Sequence, residues 1–225
     1  MASQSTPKLS VEDYLALERT HPEKHQYIDG EIFLMGGASA AHNLITANIV
    51  GELRTALKSK PCRVYANDLR VKVNPSGLYT YPDVVISCGE ERFADQQQDT
   101  LLNPLVLVEV LSDSTEAYDR GGKFAHYRQL ESLRDYVLVS QTEPLMECFS
   151  RQADQRWLLS EARGLEATLF LPSLENRLAL AEVYAKIAFY NGAACTRVLV
   201  RRSSPRLIHH HCLVFQKNYI LPFTG

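Results

Sequence analysis

Two short apolar runs, residues 81–86 and 104–111, each contain one acidic side chain. Asp83 lies just before Val-Val-Ile in the first run, and Glu109 lies within Leu-Val-Leu-Val-Glu-Val-Leu in the second. Runs of this kind are typical of central strands that are buried on both faces of a sheet. A carboxylate among such neighbours is costly unless a cation or a hydrogen-bond donor compensates for its lost water. The runs therefore predict two central strands and, at their acids, a candidate metal site.

The segments around these runs predict helices and a hairpin. A capping sequence at Ser10 predicts a first helix of about three turns. The Asp-Gly pair at residues 29–30 predicts a β-hairpin. Apolar spacing predicts a second helix over residues 41–58 and a third over residues 118–130, in spite of two glycines near the start of the third.

The remaining segments add strands and a short last helix. Residues 62–73 alternate in the manner of a strand, and the residues after 135 predict a further strand series. Residues 180–189 predict a short helix. This order predicts an α/β (α+β) fold, with a mixed central sheet flanked by helices.

Charge divides the chain into a body and a tail. Residues 1–190 carry 19 basic and 26 acidic residues, whereas residues 191–225 carry five basic residues and no acid. The tail also contains a run of three histidines at residues 209–211. A chain of 225 residues with 45% hydrophobic content can bury one substantial core. We therefore predict a single domain over residues 1–190, followed by an atypical basic tail, residues 191–225, that is poorly ordered.

The five cysteines show no metal-binding or redox spacing. Neither a disulfide framework nor a zinc site is predicted from them, and a reducing cytoplasm is the expected location. No stretch approaches the roughly 18 apolar residues that cross a bilayer, and the N-terminus has no apolar signal core. We therefore expect no membrane partner.

The two acids suit the chemistry of phosphodiester hydrolysis, which uses a divalent cation held by carboxylates and commonly a lysine. The strand itself supplies no lysine, because Leu111 occupies the position two residues past Glu109. Lys123 lies in the third predicted helix, four residues after Asp119, so both lie on one helix face. If that helix packs beside the second strand, Lys123 reaches the same rim as Asp83 and Glu109.

Several motifs that surround these residues follow one another in a fixed order. They are the Tyr14-Leu15 helix, the Tyr27-Ile28-Asp29-Gly30-Glu31 hairpin, His42-Asn43, Asp68-Leu69-Arg70-Val71, Pro82-Asp83-Val84, Val108-Glu109-Val110-Leu111-Ser112, Asp119, Lys123, Tyr127 and Tyr136-Val137-Leu138-Val139. In this ordered set the chain resembles the Uma family of restriction-endonuclease-like proteins, within the PD-(D/E)xK nuclease superfamily.

The resemblance implies a Mg²⁺-dependent DNA endonuclease, with Mn²⁺ as a possible substitute and a homodimer as the working form. It makes Asp83 and Glu109 the metal ligands, the carbonyl of Val110 a third, and Lys123 the catalytic lysine. Secondary candidates for metal or substrate contact are Glu31, His42, Asp68 and Asp119.

The chain departs from the family pattern at three positions. Gln26 stands where a glutamate is frequent, Asp113 where proline is usual, and Gly122 where a second basic residue is usual. These departures leave open a catalytically inactive module of the nuclease fold that regulates or binds DNA. RNA is also left open as the substrate, because the chemistry is shared.

Plainer interpretations of single residues also stay open. Asp83 after a proline is typical of a turn, and Lys123 could be a solvated helix lysine paired with Asp119. Because the body is acidic, any basic surface for nucleic acid has to be local, and Arg70, Lys72 and Lys123 are its candidates.

Overall fold

The structure is a computed structural model that describes residues 8–74 and 76–189. The predicted tail, residues 191–225, lies outside the described residues. The tail and the domain boundary at residue 190 therefore stay predictions.

A six-stranded mixed sheet forms the centre of the fold. Its strand order is β11-β10-β9-β8-β6-β3, and only the β8–β9 pair within it is parallel. The strands are β3 (Cys62–Ala66), β6 (Val84–Cys88), β8 (Val106–Val110), β9 (Asp135–Val139), β10 (Leu145–Arg151) and β11 (Trp157–Arg163). The two apolar runs thus become β6 and β8, which are neighbours in the interior of the sheet.

Two smaller sheets complete the strand set of the described residues. A five-stranded sheet has the order β2-β1-β5-β4-β7, and β12 pairs with β13. The strands are β1 (His25–Ile28), β2 (Glu31–Leu34), β4 (Arg70–Val73), β5 (Leu78–Thr80), β7 (Thr100–Leu101), β12 (Thr168–Leu171) and β13 (Asn176–Ala179).

Five α-helices are described, of which α2 is the longest. They are α1 (Val11–Glu18), α2 (Ala40–Ala56), α3 (Glu116–Tyr118), α4 (Phe124–Tyr127) and α5 (Leu180–Val183). A π-helical turn, Asp119–Lys123, joins α3 to α4, and a 3₁₀ turn spans Pro172–Leu174. Among the described residues, no helix is long and apolar enough to span a membrane.

Alternate residues of the central strands enter two different cores. Val84 and Val108 pack with α2 on one side of the six-stranded sheet, whereas Val85 and Leu107 pack with Tyr127 on the other. Side chains of successive strand residues point to opposite faces. Asp83 and Glu109 therefore lie on the face of Val85 and Leu107.

Most of the predicted elements are confirmed, with shifted ends. Ser10 caps α1 by accepting a hydrogen bond from the amide of Asp13. The hairpin turns at Asp29 and Gly30, both with positive φ, as the Asp-Gly signal predicts. The mixed α+β architecture with a mixed central sheet is also confirmed.

Three expectations differ from the structure. The single strand predicted over residues 62–73 is two strands in different sheets, because a turn at Asn67 with positive φ redirects the chain. The last helix ends at Val183, well before residue 189. Cys62 and Cys88 form a disulfide, although no disulfide was predicted, because the β3–β6 register places them directly opposite each other.

Candidate active site

Asp83 lies at the entrance of β6, where its two carboxylate oxygens have separate partners. The backbone amide of Val110 donates to Oδ2 at 2.7 Å, and Nε2 of His42 lies 2.8 Å from Oδ1. A carboxylate only accepts hydrogen bonds when ionised, so His42 carries its proton on Nε2. Each Asp83 oxygen has a further lone pair, so these contacts leave room for a cation.

Glu109 is buried in β8 with a relative exposure of 4%. The hydroxyl of Tyr127 donates to Oε1 at 2.8 Å, and Nζ of Lys123 lies 2.9 Å from the same oxygen. Both of these contacts are made by Oε1. Among the described residues, no hydrogen bond to Oε2 is seen, so Oε2 is the oxygen that could coordinate a metal ion.

The strand register brings the two acids to one position in the sheet. Val84 pairs with Val108 in the antiparallel β6–β8 ladder. One further step in this register sets Asp83 opposite Glu109, on the same face of the sheet. The Asp83 contact with the amide of Val110 fits this arrangement.

The π-helical turn supplies Lys123, as the sequence predicts from the spacing to Asp119. Nζ of Lys123 lies 3.2 Å from Oδ1 of Asp119, and both side chains are buried. The hydroxyl of Tyr136 donates to the carbonyl of Asp119 at 3.0 Å and so ties the turn to β9. Lys123 is therefore an interior lysine, and the plainer interpretation of a solvated one is wrong.

Gly122 gives this turn its close contact with the preceding helix. A Cβ atom at Gly122 would lie 2.8 Å from two ring carbons of Tyr118, whereas a Cβ at Gly121 would meet nothing within 4 Å. The Tyr118 hydroxyl in turn accepts a hydrogen bond of 2.8 Å from Nε2 of Gln26. Two of the family departures, Gln26 and Gly122, therefore meet at one tyrosine.

Burial and neighbouring charges act differently on the paired groups Glu109 and Lys123. Burial raises the pKa of Glu109 to about 8, with Lys123 opposing the rise and Asp83 and Asp119 adding to it. Burial disfavours charge on Lys123 too, but Glu109 and Asp119 raise the pKa of Lys123 overall. We take Lys123 as the charged member, since two carboxylates surround one ammonium group.

Gln141 belongs to the site although no sequence signal points to it. Its Nε2 donates to the carbonyl of Leu111 at 2.5 Å and lies 3.5 Å from Nδ1 of His42. Its Oε1 accepts a hydrogen bond from Ser39, the residue that caps α2 ahead of His42. Gln141 is 99 residues from His42 along the chain, so only the fold brings them together.

The secondary candidates fall into different places. His42 and Asp119 lie at the site, in contact with Asp83 and Lys123 respectively. Asp68 lines the same cleft, but its side chain is 83% exposed and pairs with Lys24 at 2.7 Å. Glu31 is exposed on the edge strand β2 and is not part of the cleft lining.

Arg70 does not serve as a basic contact for nucleic acid, contrary to the expectation from the sequence. It is 2% exposed and is bound by Thr100, Tyr81 and Asp99. The desolvated guanidinium therefore serves the interior of the fold.

A cleft of about 1520 Å³ contains the candidate site. Asp83, Glu109, Val110 and Lys123 line it, and so does Tyr118. Carboxylate oxygens suit Mg²⁺, which keeps several of its waters and so needs few protein ligands. The donor set fits this ion, and the buried Oδ1 of Asp119, which forms an ion pair with Lys123 but no hydrogen bond, adds to the local demand for positive charge. The role of the Val110 carbonyl stays a prediction.

Comparisons with known proteins give a family, two relatives and a similar fold. Residues 11–181 match the Uma2 family model, which is described as "Putative restriction endonuclease". Two proteins of Synechocystis sp. are similar over nearly their whole length. Uncharacterized protein slr1290 is 37% identical over 183 residues (81% of this chain, 95% of the relative), and Uncharacterized protein sll1609 is 34% identical over 169 residues (75% and 96%).

A solved structure shares the fold. It is a crystal structure from Anabaena variabilis described as "a putative nuclease belonging to DUF820", with a TM-score of 0.64 and 15% identity. The match covers 78% of this chain and 97% of that chain. The likeness shows a restriction-endonuclease-like nuclease fold, and the family match over 11–181 shows that the chain belongs to the Uma2 family of restriction-endonuclease-like proteins.

Proposed function

We propose that the chain is a Mg²⁺-dependent DNA endonuclease that hydrolyses phosphodiester bonds. The observation that carries the proposal is the convergence of Asp83, Glu109 and Lys123, from two strands and one helical turn, on one cleft. Family membership supports the reaction class, and the donor set supports the ion.

Asp83 and Oε2 of Glu109 would hold the ion in this proposal, and Mn²⁺ would serve in its place. When bound, the cation would activate a water molecule and neutralise negative charge on the phosphate. The amide of Val110 and the ring of His42 keep the Asp83 carboxylate in a fixed orientation. Such preorganised groups cost no rearrangement when the substrate arrives.

Lys123 would act on the phosphate directly. An ammonium group has three N–H donors, and Nζ of Lys123 forms ion pairs with Glu109 at 2.9 Å and with Asp119 at 3.2 Å. A remaining N–H would donate to an oxygen of the bound phosphate. The positive charge would thereby stabilise the additional negative charge that the phosphate carries in the transition state.

The test is cleavage of a supercoiled plasmid by the full chain with Mg²⁺. We expect nicked or linear product from the wild type and none from Asp83→Asn. Asp113→Asn is the matched control, because it removes the same charge from an exposed residue of the same cleft. Equal cleavage by wild type and Asp83→Asn would contradict the proposal. Cleavage of RNA in place of DNA would change the substrate class and keep the chemistry.

The resemblance also motivates a homodimer, which we propose since related nucleases cut two strands with two subunits. Sedimentation of the purified chain at micromolar concentration tests it, and a single monomer species would contradict it. The cytoplasmic location expected from the cysteines loses its support, because Cys62 and Cys88 form a disulfide, which is rare in a reducing cytoplasm.

A further inference from the structure

A second group of potential metal ligands is formed by residues other than Asp83 and Glu109, although Glu23 lines the same cleft. His21, Glu23 and His25 lie where the chain passes from the end of α1 into β1. Their ligand atoms lie within 4.8 Å of one another. In the part of the chain that the structure describes, no other group of three histidine, cysteine or acidic side chains has its ligand atoms this close together.

His25 is oriented as a metal-binding histidine usually is. Its Nδ1 lies 3.0 Å from Oε2 of Glu18, and the two side chains are only 10% and 1% exposed. The carboxylate accepts the proton of Nδ1, so the neutral ring keeps its lone pair on Nε2. A carboxylate behind the imidazole is the typical arrangement that fixes the tautomer and strengthens the ring as a ligand.

Glu18 is itself held by two further bonds, so the orientation of His25 is fixed. The backbone amide of His25 and the hydroxyl of Tyr81 donate to Oε1 of Glu18 at 2.8 and 2.9 Å. His25 therefore rests on a buried polar network, and only its outer nitrogen is free to reach a neighbour.

The ring of His21 lies at a distance that suits a shared ion. Its centroid is 5.0 Å from that of His25, with an angle of 69° between the planes. Two imidazoles on one tetrahedral zinc ion with Zn–N bonds of ~2.0–2.1 Å have centroids about 5 Å apart. His21 is exposed, and its Nδ1 accepts a long bond of 3.2 Å from the amide of Glu23, so the ring can turn at little cost.

We propose that His21, Glu23 and His25 bind one zinc ion. Two imidazoles and one carboxylate suit Zn²⁺ better than Mg²⁺, which prefers oxygen ligands alone. Glu23 is exposed, and its negative carboxylate would offset part of the positive charge of the zinc ion. Water would take the fourth position, because the group faces solvent at the rim of the fold.

The ion would fasten the end of α1 to the start of β1. It would also bear on the candidate active site, because Glu18 bonds to Tyr81, which lies two residues before Asp83. The zinc site does not depend on the proposed nuclease activity, since its ligands are not those of Asp83 and Glu109.

The test is calorimetric titration of the full chain with zinc chloride. The parent protein carries His209→Ala, His210→Ala and His211→Ala, which removes the imidazole run of the tail from the measurement. We expect a zinc-binding event in this parent that depends on His21 and Glu23, separate from any zinc that enters the site at Asp83 and Glu109. Adding His21→Ala should weaken that event by at least about tenfold, and Glu23→Gln should weaken it as well. Both residues are exposed, so these variants are expected to fold.

Asp83→Asn in the same parent is the matched control, and it should retain the event. Equal zinc affinity with and without His21→Ala would overturn the proposal. Loss of the event in Asp83→Asn, with retention in His21→Ala, would also overturn it, by assigning the zinc to the candidate active site. Absence of zinc binding by the parent at millimolar zinc would do the same.

Discussion

The two carboxylates and the lysine of the candidate site are held in different ways. Asp83 immediately precedes β6 and Glu109 lies on β8, and the pairing of these two strands sets the face on which each side chain lies. Lys123 stands on a short π-helical turn between two helices of only three and four residues. The strand register brings the two acids together, whereas the position of the lysine depends on contacts made by individual neighbours.

The neighbours that hold the lysine come from separate parts of the chain. Glu109 and Asp119 fix its ammonium group, Tyr136 fixes the turn, and the ring of Tyr118 rests on Gly122. π-helical turns inside α-helices are frequent at functional sites. A region built in this way should be more sensitive to small substitutions than the strands are.

The largest expected effect follows from Lys123→Met. This change leaves Glu109 buried without its ammonium partner, and breaking one side of a buried pair costs about 3–5 kcal/mol in the free energy of unfolding. Urea denaturation measures this cost, and plasmid cleavage should be lost as well. Lys24→Met is the matched control, because Lys24 also pairs with a carboxylate of the cleft but is 43% exposed. Equal stability losses in the two variants would show that Lys123 is not held as described.

Gly122→Ala should come next in size. The new Cβ would lie 2.8 Å from the ring of Tyr118, and such overpacking costs about 1–3 kcal/mol. Gly121→Ala is the control in the adjacent position, where the added methyl meets nothing, and it should stabilise the turn by up to about 1 kcal/mol. Thermal unfolding of the two variants provides the measurement. Equal shifts in both would remove Tyr118 from the set of contacts that shape the turn.

The dependence of stability on pH tests the environment of Glu109 on β8. The pKa of Glu109 is raised from its ordinary value of 4.5 to about 8 in the folded chain, so between these pH values the folded chain binds a proton that the unfolded chain has released. Stability without metal should therefore be fully present below pH ~4.5 and fall as pH rises towards 8, by at most about 1.4 kcal/mol per pH unit.

Mg²⁺ should show the opposite trend in the same window. The ion competes with the proton on Glu109, so its affinity should rise towards pH 8, by at most about tenfold per pH unit. Calorimetry at several pH values, with Glu109→Gln as the control that lacks the titrating group, gives the measurement. An affinity that is the same at pH 6 and pH 8 would contradict the role of Glu109.

The smallest effect is expected from Gln26→Glu, which restores the residue frequent in the family. The Tyr118 hydroxyl can donate to the new carboxylate, so the contact is kept with its direction reversed. Stability should change by less than in Gln26→Ala, which removes the bond at a cost of about 1 kcal/mol. Urea denaturation of both variants measures the two changes in the free energy of unfolding. A larger loss in the glutamate variant would mean that the carboxylate is repelled by the acids of the cleft.

The sequence carried enough information for the two central strands and for expecting Asp83, Glu109 and Lys123 at one edge of the sheet. Apolar runs predict buried strands by composition alone, and the spacing of Asp119 and Lys123 needs only helical geometry. The i to i+4 ion pair is present although the turn is π-helical.

Other features could not be read from the sequence because they depend on tertiary contacts. Gln141 reaches His42 only after β9 and α2 have packed in the same fold. Arg70 resembles a surface cation in sequence but is buried by its bonds to Tyr81 and Thr100. The glycines near Lys123 indicated a weak helix, whereas the structure uses Gly122 to admit an aromatic ring.

The most direct measurement is a crystal structure of the full chain with Mn²⁺, recorded with anomalous scattering. We predict an anomalous peak bound by Asp83 and by Oε2 of Glu109, at Mn–O distances of about 2.0–2.3 Å. Asp83→Asn crystals should lose that peak. Mn²⁺ held elsewhere, with the Glu109–Lys123 ion pair unchanged and no metal at Asp83, would contradict the assignment of these two acids as metal ligands.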